Sequence, residues 1–247
     1  MSDFASVHRA RFPGAVSADV FLRATSAVAA PLGFVPDSTI ACIGLCRDEM
    51  TRSLRDAIQA IWGEAFALGG LGGMLSAGKT GFMAAHAHAP VVDGRERYAY
   101  FVMPHIAVDA AGIIGRCSRT GRPGPSTACG ALAAFLVALD GGRVRLVGDP
   151  LDPEQSRLQQ RLMEALPHGR TPDLADVTHL ARKVIAEDLE RMTELTVDPD
   201  QADFIAFTGV QIHGPDGDWV QPGDAWAMVG GVRRPIDVSA ALAKPAR

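Results

Sequence analysis

Two cysteines and a histidine stand far apart in this chain, yet at positions that secondary structure would bring together. Cys46 closes the apolar run "STIACIGLC", His105 lies within "YAYFVMPHIAV", and Cys129 sits in "STACGALAAFLVAL" behind the stretch "GRPGPS". Two thiolates and one imidazole are the Cys2His set that tetrahedral zinc accepts while keeping its fourth position for water, which marks a catalytic rather than a closed structural site. A helix beginning at Cys129 would lower that thiol's pKa and favour the thiolate a metal needs. Spacing alone is weak support, because no C-x-x-C pair is present. Each residue also has a plain structural reading: a cysteine on a buried element is usually a small hydrophobe, as Cys42 and Cys117 are read here, and His105 could be a hydrogen-bonded core histidine.

A second pattern bears on a different chemistry. "GGMLSAGKTG" contains G-x-x-x-x-G-K-[ST] as Gly73, Gly78, Lys79 and Thr80, the loop whose backbone N–H groups, lysine and hydroxyl hold phosphates and magnesium. That loop should follow a buried strand and open a long helix. Here the preceding apolar positions Ile58, Ile61, Trp62, Ala65, Phe66 and Leu68 have helical spacing, and Pro90 follows too soon for a long helix. "VRLVGD" is the nearest thing to a magnesium-binding strand end. P-loop nucleotide binding is therefore an alternative, and a glycine-rich loop packed against other backbone is the plainer reading.

The elements that must position these residues alternate in type. "DVFLRATSAVAA" reads as a helix opened by Asp19, "STIACIGLC" as a buried strand, and "DEMTRSLRDAIQAIWGEAFAL" as a long amphipathic helix. "YAYFVMPHIAV" is a second strand, "STACGALAAFLVAL" a helix with Ser126 or Thr127 as cap, and "VRLVG" a third strand. Helices follow at "DPEQSRLQQRLMEAL" and "TPDLADVTHLARKVIAEDLERM", then strands at "ADFIAFTGVQIHG" and "AWAMVGGVRR". This order predicts one α/β domain over residues 1–247, a central mostly parallel sheet flanked by helices, with an N-terminal helical arm over roughly 1–36. In such sheets the working groups collect at the strands' carboxyl ends. Cys46, His105 and the loop before Cys129 all fall there.

Composition narrows the function classes. The net charge of -4, with both signs scattered, offers no basic surface for nucleic acid and no polybasic membrane anchor. The opening "MSDFASVHRARFPG" carries charges where a signal peptide needs an apolar core, and no run approaches the roughly 18 apolar residues of a membrane span. A cytoplasmic protein with no membrane and no nucleic-acid partner is expected. Only four cysteines in 247 residues speak against a disulfide scaffold and for reduced thiols.

The motif "CRDE" (Cys46, Asp48, Glu49), followed by "PHIAV" and "STACGAL", resembles the limiting-CO2-inducible protein B/C family, the theta-class carbonic anhydrases, themselves similar to the beta class. The resemblance runs over nearly the whole chain and takes in "GKTGFMAAHAHAPVVDGR", which accounts for the phosphate-loop match. Cys46-x-Asp48 fits the beta-class Cys-x-Asp-x-Arg, and Cys129-Gly130-Ala131 fits its Cys-Gly-[AG] helix start, but the arginine that closes the aspartate dyad falls on Met50. Arg52, one helical step on, is assigned to the dyad, with Arg116 and Arg119 as alternatives from the loop.

By this resemblance the chain is a carbonic anhydrase, a lyase that hydrates CO2 to bicarbonate and the reverse. Zinc on Cys46, His105 and Cys129 would supply hydroxide near neutral pH, and Asp48, kept ionised by an arginine, would orient it. His86 and His88, at alternate positions, would face one side of an extended segment and could carry protons; a structural pair is the other reading. The resemblance also implies a homodimer with the site near the subunit interface. A zinc protein that senses or binds CO2 or bicarbonate without turnover, and a thiol redox protein, are the competing classes.

Overall fold

A computed structural model describes residues 3–169 and 171–242. Its helices are α1 (Phe4–Arg11), α2 (Ala18–Ala29), α3 (Arg52–Trp62), α4 (Gly78–His86), α5 (Gly130–Asp140), α6 (Pro153–Ala165), α7 (Leu174–Thr196) and α8 (Val238–Leu242). Its strands are β1 (Val16–Ser17), β2 (Ile40–Gly44), β3 (Ala65–Ala67), β4 (Val91–Val92), β5 (Arg95–Val102), β6 (His105–Ala107), β7 (Arg116–Cys117), β8 (Ser126–Thr127), β9 (Ala202–Gly214), β10 (Gly217–Val229) and β11 (Val232–Pro235).

The central strands are parallel: β2 pairs with β3 and β5, and β9 with β5 and β6. The β9–β10 hairpin adds an antiparallel side, on which β1 and β11 also pair with β10. Helices cover both faces, so the middle strands carry apolar side chains toward both, although β5 begins with Arg95, Glu96 and Arg97. Successive residues face opposite ways. Cys42, Tyr98, Tyr100, Val102, Phe204 and Ala206 pack toward the layer of α4, α5, α6 and α7. Ala41, Ile43, Ala99, Phe101, Ile205 and Phe207 pack toward α2, α3 and α8. This is the α/β fold with a mostly parallel sheet that the element order predicts.

Several elements differ from the sequence expectation. The long helix stops at Trp62, because Gly63 turns the chain at φ 81°, and Ala65–Ala67 then join the sheet as β3. The helix at residue 18 is capped by Ser17, whose hydroxyl accepts from Val20 N–H, while Asp19 lies inside its first turn. "VRLVG" forms no strand; it spans the gap between α5 and α6, both packed on one sheet face, and leaves Leu146 and Val147 exposed. The expected strand "YAYFVMPHIAV" is two strands. Pro104 lacks the N–H a ladder needs, so β5 ends at Val102 and β6 continues beside β9 alone. In the segment read as an N-terminal arm, α1 and α2 flank β1, which pairs with β10, and Arg11 holds Asp173, the N-cap of α7, through two 2.7 Å hydrogen bonds. No helix among the described residues is long and apolar enough to cross a membrane.

The glycine-rich loop between β3 and α4 lies against the end of β2. A Cβ on Gly69 would sit 2.2 Å from the Leu45 carbonyl oxygen, and one on Gly73 2.6 Å from that of Met103. Both clashes are with backbone, which can only yield by moving the strand ends. Gly69→Ala is therefore expected to destabilise the fold by about 1–3 kcal/mol, as overpacking does, read as a lower urea midpoint. An unchanged midpoint would mean that the loop does not rest on that strand.

Candidate metal centre

The parallel sheet delivers two of the three donors at its carboxyl edge. Cys46 lies two residues past β2, and His105 opens β6 directly after the Pro104 break in the adjoining strand. The third comes from the far side of the β7–β8 ribbon. Ala128 is tied to Gly115 O through its N–H and to Ala107 N–H through its carbonyl, which sets Cys129 at the N-cap of α5, one position before the helix in which it was expected. The ligand atoms of Cys46, His105 and Cys129 all lie within 4.8 Å of one another, and all three residues are buried.

Inside this triangle the polar atoms are incompletely satisfied. The two sulfurs are 3.8 Å apart, and Cys46 Sγ also accepts the Gly72 N–H at 3.2 Å. His105 Nε2 is buried and has no hydrogen-bond partner. The Cys129 thiol as hydrogen-bond donor outweighs burial and brings Cys46 down to about 4. Cys129 goes well above the ordinary thiol value, because the same neighbouring sulfur and burial outweigh the helix N–H groups of Ala131 and Leu132. The helix start thus acts in the expected direction on Cys129 but is overruled. Two thiolates this close repel, so without a cation the pair carries one charge; a cation held by both sulfurs would displace the second proton.

Asp48 stands at the edge of the triangle, its Oδ2 3.9 Å from His105 Nε2. Its Oδ1 caps the following turn by accepting the Met50 N–H at 3.0 Å. The guanidinium on this carboxylate is that of Arg119, which donates from Nη2 to Oδ2 at 2.8 Å and from Nη1 to Oδ1 at 3.1 Å. Arg119 also donates to Glu49, to Ser126 Oγ and to the Thr127 carbonyl. Arg52, assigned to this role on sequence, does not fill it: its side chain is 80% exposed and pairs with Asp56 one helical turn on. Arg116 pairs with Asp109. Burial pushes the Asp48 carboxyl up, but the Arg119 hydrogen bonds and the Met50 N–H prevail and hold it at about 2.

Residues that sequence reasoning missed back the triangle. His105 Nδ1 is 2.9 Å from His213 Nε2, and His213 Nδ1 is 2.7 Å from Asp218 Oδ1. His105 is registered opposite Gln211 on β9, so His213, two residues on, shares its face. His213 is in turn cross-strand partner to Asp218, a register closed by the turn at Gly214–Gly217. The signal in the sequence is "HGPDGD", whose P-D-G marks a hairpin. On the other side, Arg47 grips Glu154 of α6 at 2.7 and 2.8 Å, and Glu154 accepts the Leu71 N–H at 2.9 Å, steadying the loop whose Gly72 reaches Cys46.

His86 and His88 do not form the extended pair proposed for proton transfer. His86 ends α4, is buried, hydrogen-bonds Tyr100 Oη at 2.6 Å and stacks on Tyr98; His88 lies in the turn beyond, against Phe66. The phosphate-loop pattern does follow a strand, β3, and lead into a helix, α4. Gly73 of the pattern nonetheless lies against the Met103 backbone, next to Gly72 whose N–H reaches Cys46, and Lys79 and Thr80 are exposed on α4.

The model of the family described as limiting CO2-inducible proteins B/C, beta carbonic anhydrases, matches residues 15–228. The chain belongs to this family. Among solved structures it is similar to the limiting CO2-inducible protein LCIB, with 38% identity, a TM-score of 0.79, and coverage of 93% of this chain and 96% of that one. It also resembles PtLCIB4, a homologue of LCIB, at 22% identity and a TM-score of 0.78 over 94% of this chain and 98% of that one, a likeness of fold. No match was found among curated proteins. The matched residues span the parallel strands and include the segments that carry Cys46, His105 and Cys129.

The Asp48 pairing gives a direct titration test on the metal-free protein. Its folded pKa is depressed, so its contribution to stability is complete above the ordinary carboxylate value of about 3.9 and is lost as pH falls through about 2. In Arg119→Gln burial acts without the guanidinium, and the Asp48 carboxyl resonance should titrate at clearly higher pH; Arg52→Gln should leave it where it was. The opposite ranking of the two variants, read by carbon NMR, would contradict the assigned pair.

Proposed function

We propose that this protein catalyses the reversible hydration of CO2 to bicarbonate with a zinc ion held by Cys46 Sγ, His105 Nε2 and Cys129 Sγ. The observation that carries the reading is the buried, unpartnered His105 Nε2 facing two sulfurs within 4.8 Å. A buried polar atom left without a partner costs about 1–3 kcal/mol, and a cation shared with the sulfurs removes that cost. The donor set fits the group, since two thiolates and an imidazole suit zinc and three protein ligands leave one position free. Bound there, zinc supplies Lewis acidity that brings the pKa of a water to about 7, giving a nucleophile for CO2 near neutral pH.

The chain's own residues account for the rest. Asp48, ionised and doubly held by Arg119, can only accept a hydrogen bond, so it orients the O–H of the attacking water and leaves a lone pair for the carbon. Arg119 keeps it an acceptor throughout the physiological range. Substrate CO2 carries no charge and asks for apolar room. Ala107, Cys117 and Ala128 form a small buried cluster with Met50 against it, each within two residues of His105, Arg119, Cys129 or Asp48, which suits CO2 and limits water. We further propose a homodimer in the cytoplasm: α5, which follows Cys129, presents exposed Ala134 and Val137, and all four cysteines are free.

Zinc analysis beside stopped-flow CO2 hydration tests the proposal. Wild type should hold about one zinc per chain and turn over, and Cys46→Ser should lose both. Asp48→Asn should keep its zinc and lose about 10- to 100-fold in rate. Zinc retained by Cys46→Ser, or a zinc-loaded wild type no faster than buffer, would overturn it.

A further inference from the structure

We propose that His213 and Asp218 are positioning residues that fix the tautomer of His105, presenting a bare Nε2 lone pair to the two sulfurs and so setting the affinity of the centre for zinc. The inference rests on reading Cys46, His105 and Cys129 as a metal site.

The deduction starts at the outer end of the chain of hydrogen bonds. Asp218 is surrounded by donors: Gln211 Nε2 at 3.2 Å and the Ser53 hydroxyl on Oδ2, and His213 Nδ1 at 2.7 Å from Oδ1. A carboxylate can only accept, so His213 carries its proton on Nδ1. In the neutral ring Nε2 is then the acceptor, and at 2.9 Å it faces His105 Nδ1. Two acceptors cannot share a hydrogen bond, so His105 Nδ1 carries the proton. His105 is left with an unprotonated Nε2, the same buried atom that lacks a partner. Each hydrogen bond settles the next one inward.

Metal-ligating histidines generally hand their second N–H to a carboxylate, carbonyl or water. Here a second histidine intervenes, which lets a carboxylate at the hairpin turn act on a ligand inside the core. Backbone geometry makes this possible. The β9–β10 register puts Asp218 opposite His213, and the β6–β9 register puts His213 diagonal to His105. His105 and His213 are both buried, so water does not offer His105 Nδ1 an alternative acceptor. Without His213, the ring would be free to carry its proton on Nε2, where it must be lost before a metal can bind.

Long-range proton–nitrogen NMR on the metal-free, histidine-labelled full chain tests the tautomer directly. Protonated Nδ1 and bare Nε2 on His105, with protonated Nδ1 on His213, is the expected result; a protonated His105 Nε2 would overturn the inference. In parallel, zinc affinity is measured by competition with a chromophoric chelator, and folding by thermal unfolding. His213→Leu should weaken zinc about 10- to 100-fold, and His213→Gln, whose amide oxygen can accept from His105, should recover most of that loss. Equal zinc affinity in His213→Leu and wild type would also overturn it. Should wild type take up no zinc, the metal reading fails by itself, and the NMR result still decides the tautomer.

Discussion

Two sulfurs 3.8 Å apart beside an unpartnered imidazole nitrogen are the constraint around which the molecule is arranged. Such a cluster is unfavourable by the ordinary rules of burial: one thiol is held protonated far above its usual range, one is a buried thiolate, and one ring nitrogen has no hydrogen bond. Folding tolerates it because the donors sit on elements fixed for independent reasons. Cys46 and His105 lie just past the ends of the adjoining parallel strands β2 and β5, in a sheet covered on both faces, and Cys129 follows Ala128, which backbone hydrogen bonds tie to Ala107 of β6 and to Gly115. The apolar core thus supplies the rigidity, and the site takes on the electrostatic cost.

The charged residues around the centre hold loops in register more than they add stability. Arg119 joins Asp48, behind Cys46, to Ser126 and Thr127, ahead of Cys129. Arg47 joins the same segment to Glu154, which in turn holds the Leu71 N–H. Arg47 is 59% exposed, so its ion pair contributes little to folding free energy, yet it limits where the glycine loop can go. Arg119, far less exposed, also sets the charge state of Asp48, so one side chain ties a loop down and tunes an acceptor.

The residues of the triangle were legible because their chemistry is local: Cys46-x-Asp48 after an apolar strand and Cys129-Gly130 before an apolar helix declare themselves by residue type and position. Both helical layers and the alternation of helix and strand were legible from periodicity. The arginine was not. Arg52 is near Asp48 in sequence, whereas Arg119 reaches Asp48 from an irregular loop 71 residues away, and nothing in a run of turn residues says where a guanidinium will point. "VRLVG" has strand composition, but composition does not reveal whether a sheet edge is within reach. His213 and Asp218 were hidden for a related reason: their role depends on the register of two strand pairs, which a single sequence fixes only once the partners are known.

The proposed function requires that this triangle bind one zinc with an open fourth position. X-ray absorption at the zinc edge of the loaded protein tests it most directly. Two sulfurs at about 2.3 Å and two lighter nitrogen or oxygen scatterers at about 2.0–2.1 Å are the predicted environment. A shell without sulfur, or one of four sulfurs, would contradict it.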